Sequence, residues 1–107
     1  MNHVLIVDQT AEDDIHEIFE HYKKTVSESK GDHFLDACEN VFGKILLFPE
    51  IGYQLLPNVR KVPVTGYSYS IYYRVGRHTI NIFGVIHQKR DSYQWKQRLD
   101  QSTNGAH

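Results

Sequence analysis

The chain is poor in the residues that staple or unfold small proteins. Its 107 residues hold one cysteine, Cys38, so it can close no intramolecular disulfide and build no cysteine-based zinc site. Three prolines and seven glycines are too few for a collagenous or linker-like chain. No apolar run approaches the ~20 residues of a membrane helix. The stretch through Val4–Val7 is too short for a signal peptide and has no cleavage site. The expected compartment is therefore the cytoplasm, with no membrane partner. No Gly-rich phosphate loop and no Ser-His-Asp arrangement is present, and the length excludes a TIM barrel or a complete dinucleotide-binding double fold. What is there is globular: 40% hydrophobic, 23% charged and 12% aromatic, which suits one domain with its own core.

The net charge of −1 hides an uneven distribution. Residues 1–59 carry four lysines against eleven acids, and residues 60–107 carry eight bases against Asp91 and Asp100. A basic C-terminal half suggests an acidic partner for that half. Mutual neutralisation within one fold is the plainer reading.

Hydropathy period divides the chain. Val4-Leu5-Ile6-Val7 reads as a short buried strand. Thr10 reads as a helix N-cap before the first-turn acids 12–14. Ile15, Ile18, Phe19, Tyr22 and Val26 form one apolar stripe, so a helix is predicted over about 11–26. Residues 27–31 break the pattern. A second stripe, Phe34, Ala37, Cys38, Val41, Phe42, Ile45 and Leu46, predicts another helix, stopped by Pro49 and Gly52. The two make a helical hairpin. From Asn58 to His87 the period becomes two, with β-branched and aromatic residues, which predicts a three-strand meander turning at Thr65-Gly66 and Gly76-Arg77. Gly76 suits the positive φ of a two-residue hairpin. Ile80, Ile82 and Ile86 fall on one face by simple alternation. Tyr93 to Arg98 reads as one or two helical turns, and residues 101–107 as a loose tail. The order β-α-α-β-β-β predicts an α+β fold: a helical hairpin packed on a small, mainly antiparallel, four-stranded sheet, with a short C-terminal helix.

Seven histidines raise the question of a metal. His16 and His21 resemble a zinc-protease pair with one residue too many. At five residues' separation they point about 140° apart on a helix, so no metal or other cofactor is expected. Cys38 sits on an apolar stripe and reads as a buried small hydrophobe. His87 and Asp91 are close enough in sequence to pin the turn at the sheet's end. Arg60 shares parity with Val62 and Val64, so its stem should lie along the helix layer. Arg74 shares parity with Tyr72 and Ser70 on the other face, a plausible docking face.

These residues resemble the RelE/ParE superfamily of toxins from type II toxin–antitoxin pairs, over about residues 2–99. Leu46-Leu47-Phe48-Pro49-Glu50-Ile51-Gly52 resembles the family's link from helix to sheet. Val59–Val64 and Tyr69–Val75 resemble its next two strands. His87-Gln88-Lys89-Arg90-Asp91, with Trp95 and Arg98 behind, is similar to the ending of the ParE-like branch. The resemblance implies a toxin that inhibits DNA gyrase by protein–protein binding, without catalysis or direct nucleic-acid contact. It further implies neutralisation by a cognate antitoxin, whose C-terminal segment is expected to be acidic. The partner contacts expected on this chain are Arg60, Arg74, Arg77, Arg90, Tyr93, Trp95, Lys96 and Arg98.

The RelE-like branch instead cuts messenger RNA on the ribosome. Here that chemistry would need His87 as acid or base and Arg90 and Arg60 as cations. The RelE-like pattern has basic residues before its second strand and an arginine at that strand's end. This chain has Gln54–Asn58 and Pro63-Val64-Thr65 there, so the ParE-like reading is preferred. A module that keeps only antitoxin binding is the third alternative.

Overall fold

In the computed structural model, which describes residues 2–105, strand β1 (Val4–Val7) leads into helices α1 (Gln9–Thr25) and α2 (Glu28–Leu47). Strands β2 (Tyr53–Leu56), β3 (Val59–Pro63), β4 (Tyr69–Val75) and β5 (Thr79–His87) follow, then helix α3 (Asp91–Gly105). The sheet has five strands in the order β1-β5-β4-β3-β2, one more than expected. β1 runs parallel to β5, and the other pairs are antiparallel. The extra strand, β2, is four residues long and has its register interrupted between Gln54 and Leu56. That irregularity removes the alternation by which a strand is recognised.

Local chemistry moved the helix ends. α1 is capped by the extended Asp8 rather than Thr10, and the Glu12 amide donates to the Asp8 carbonyl at 3.0 Å. Thr10 instead donates its hydroxyl to the Phe83 carbonyl at 3.3 Å. α2 starts at Glu28 because Ser27 caps it, its Oγ accepting from the Lys30 amide at 3.1 Å. Only Val26 and Ser27 separate the helices. Gly31, which read as a breaker, is inside α2, where a Cβ would meet the Phe19 ring at 3.1 Å. It lets the two helices approach. α3 continues to Gly105, into the expected loose tail; residues 106 and 107 lie outside the described residues.

Two cores sandwich the sheet. One joins α1 and α2 to it through Phe34, Cys38, Ile45, Ile71, Tyr73 and Ile82. Each large apolar side chain fully buried there contributes about 1.5–3 kcal/mol. The other lies beneath α3, where Trp95 and Leu99 meet Val59, Tyr72, Phe83 and Ile86. A β-bulge creates this division. Tyr72 pairs with Gly84 and Tyr73 with Ile82, leaving Phe83 as the extra residue. Parity reverses there, so Val85 joins the α1–α2 core and Ile86 turns to α3. Ile86 therefore does not share a face with Ile80 and Ile82. Gly66, φ +88°, is the one described glycine with positive φ; Gly76 turns without it.

The link from α2 to β2 is tied to the sheet. The Tyr73 hydroxyl donates to the Pro49 carbonyl at 2.8 Å and accepts from the Gly52 amide at 3.0 Å. Arg60 donates to the Glu50 and Gly52 carbonyls at 3.1 and 2.8 Å. A Cβ on Gly52 would sit 2.8 Å from both the Lys61 carbonyl oxygen and the Tyr73 hydroxyl. Gly52→Ala is expected to destabilise the fold by about 2 kcal/mol through overpacking and loss of these bonds, read as a lowered urea midpoint. An unchanged midpoint would show that the link relaxes freely.

Candidate functional site

The site begins at an incomplete sheet edge. β1 pairs with β5 only as far as Val7 opposite Ile82. From Phe83 to His87, β5 has no strand on that side. α1 covers part of the gap with side chains: Thr10 takes the Phe83 carbonyl, and the Val85 amide donates to Asp14 Oδ2 at 3.0 Å. Arg98 of α3 reaches the same carboxylate with two bonds, at 2.6 and 2.7 Å. One carboxylate thus ties α1, β5 and α3 together, and this bonding holds the Arg98 guanidinium above its ordinary pKa. Charge-assisted forks of this kind are stronger than neutral bonds.

Beside this junction lies a groove of about 540 Å³. Asp14, Glu17 and His21 of α1 form one wall, and Lys89, Arg90 and Arg98 the other, with Tyr69 and His87 between them. The His87 ring stands edge-on to Tyr69 with centroids 5.1 Å apart. Its Nδ1 accepts the Lys89 amide at 3.1 Å. The neutral imidazole therefore carries its proton on Nε2 and has no second lone pair to act as a base in that tautomer. The side chain of Asp91, expected beside His87, lies outside the described residues.

The expected site residues do not converge. His87 and Arg90 share the groove. Arg60 does not: it sits on β3 opposite Tyr73, while His87 sits on β5 opposite Tyr69. Four residues along the sheet is roughly 13 Å, before the two-strand separation is added. Its guanidinium is used within the chain, on the Glu50 and Gly52 backbone carbonyls. Arg74 pairs with Asn81 across the sheet on the α3 face, whose centre is closed: Tyr72 is fully buried and Ser70 nearly so. The docking face expected there is thus largely occupied by α3. Arg77 is exposed in the β4–β5 turn. Trp95 is buried and Arg98 is engaged with Asp14, so both are used within the chain. Tyr93 and Lys96 are exposed, with Lys96 Nζ 5.7 Å from the Trp95 ring centroid.

Sequence reasoning missed the α1 wall. Its signal was the spacing of Asp14, Ile18 and His21, which puts a carboxylate and an imidazole in line with an apolar stripe residue. A second groove of about 370 Å³ is apolar, between Ile15 and Phe19 of α1 and Leu35 and Phe42 of α2, beside Val7. His16 lines this groove and His21 the first, as their angular separation requires. Among the described residues no three ligating side chains cluster for a metal, and no helix is long and apolar enough to cross a membrane. Cys38 is buried, and burial followed by nearby Glu39 pushes its thiol up to about 12. Alkylation at pH 8 is expected to proceed only as the protein unfolds, followed by mass spectrometry; rapid labelling of native protein would contradict this burial.

Comparison with known proteins agrees with this architecture. A solved structure described as the chromosomal ParDE TA system from P. aeruginosa matches with a TM-score of 0.61 and 20% identity, over 79% of this chain and 95% of that one. Among curated proteins no significant match is found. The family model for the ParE toxin of the type II toxin–antitoxin system parDE matches residues 5–92. With the helical hairpin, all of the sheet but Val4, and the start of α3 inside that match, the chain belongs to the ParE toxin family.

Proposed function

We propose that this toxin stops growth by binding DNA gyrase, without catalysis, and that a cognate antitoxin neutralises it. The observation that carries the binding reading is the separation of Arg60 from His87 and Arg90. In-line attack by a 2′-hydroxyl needs an acid, a base and cations around one phosphate, and losing one transition-state donor costs about 10²–10³ in rate. The gyrase contact falls on the exposed start of α3, through Arg90, Tyr93 and Lys96. The antitoxin lays an amphipathic segment into the apolar α1–α2 groove beside β1. Its acidic residues meet Arg77, exposed in the β4–β5 turn next to His78, whose carbonyl accepts the Val4 amide at the start of β1.

The test is DNA supercoiling by purified gyrase with the purified chain added. Inhibition at near-stoichiometric toxin is expected. Combining Arg90→Glu with Lys96→Glu should weaken inhibition more than about tenfold with an unchanged melting temperature. Unimpaired supercoiling, with cleavage of messenger RNA on added ribosomes, would overturn the proposal in favour of the nuclease.

A further inference from the structure

We propose that the chain forms a two-fold dimer through the β2 edge and the end of α2, independently of its target. Six of the ten large apolar side chains exposed among the described residues lie there: Leu46, Leu47, Phe48, Ile51, Tyr53 and Leu56. Leu47 is 74% exposed, Tyr53 71% and Phe48 64%. They occupy one short stretch of chain that turns around a single sheet edge, fixed there by Tyr73 and Arg60. The exposed fractions are equivalent to about 3.4 whole side chains, on the order of 500 Å² of apolar surface. That lies toward the top of the roughly 300–600 Å² of a typical monomer's largest patch, which is often functional. It matches the apolar share, about 60%, of the ~800 Å² that each partner contributes to a standard interface.

The strand within the patch points to a strand-pairing interface. β2 is an outer strand of the sheet, and its residues Tyr53-Gln54-Leu55-Leu56 carry no charge. Its four-residue length and its register shift after Gln54 limit pairing to a short segment, so the apolar side chains around it must supply most of the contact. The rim points to self-association. Its charges are of both signs, Lys44 and Lys61, the latter opposite Tyr53, against Glu50, whereas a partner of strongly opposite charge would call for a rim of one sign. Antiparallel pairing of two β2 strands buries like against like and closes after two copies, so it does not propagate into a filament.

Sedimentation velocity of the full chain across micromolar concentrations tests this. The expected species has twice the 12.5 kDa chain mass. Leu47→Glu and Tyr53→Lys replace well-exposed side chains, and each should weaken dimerisation more than about tenfold with unchanged circular dichroism. Val26→Lys, an exposed apolar position outside the patch, should leave it unchanged. A wild-type chain that stays monomeric throughout overturns the proposal, as do patch variants that dimerise like wild type. A monomer whose patch is instead covered by the antitoxin would likewise overturn it.

Discussion

Replacing Trp95 by alanine is expected to cost about 3–5 kcal/mol, the range for a large aromatic removed from a core. Trp95 is 8% exposed and is the largest side chain that α3 contributes to the core beneath it. Its loss leaves Leu99 as the main apolar contact holding the helix, while Tyr72, Phe83 and Ile86 lose their cover. Domains of this size have a total stability of about 5–15 kcal/mol, so the change takes a large share. Urea unfolding followed by circular dichroism should show a much lower midpoint, and the variant should bind a hydrophobic dye in its native baseline. A shift below about 1 kcal/mol would mean that α3 contributes little to the fold.

The second large effect is expected at Asp14. Its carboxylate accepts the Val85 amide and two Arg98 bonds. Asp14→Ala leaves a guanidinium and an amide without their acceptor. A fully buried pair broken this way costs about 3–5 kcal/mol. The side chains of Arg98 and Asp14 keep 27% and 11% exposure, so solvent reduces the expected cost to about 2–3 kcal/mol. Asp14→Asn keeps an acceptor for Val85 and should recover part of the loss. Equal destabilisation by both variants would assign the effect to charge alone. None from either would remove Asp14 as the tie between α1, β5 and α3.

Most of this fold was legible because its main elements have clean periods. The stripes Ile15 to Tyr22 and Phe34 to Ile45 marked the helices, and the alternation in Tyr69–Val75 marked β4. What stayed hidden depends on tertiary position. β2 is short and irregular, so its side chains do not alternate. The bulge at Phe83 reverses parity, and its one local signal, Gly84 inside the strand, does not by itself say which residue is the extra one. Among the described residues α3 adds Trp95 and Leu99 to the core beneath it, too few for a visible stripe, yet it closes the face on which Arg74 seemed open to a partner. The site was legible on one wall only. His87 and Arg90 stood out by residue type, while Asp14 read only as a first-turn acid and His21 only as half of an excluded metal pair. Their role comes from β1 ending at Val7 and leaving β5 open beside them. Arg60 was recognisable as important, but its role is to bind the carbonyls of the Pro49–Gly52 link, a contact between segments that no local pattern encodes.

The most direct test of the proposed mechanism is pulse labelling after induced expression, following thymidine and methionine incorporation in one culture. Early loss of thymidine incorporation with protein synthesis still running is the expected result, because gyrase inhibition stops replication first. Early loss of methionine incorporation, with DNA synthesis failing only later, would contradict it and return His87 and Arg90 to the role of an RNA-cleaving pair.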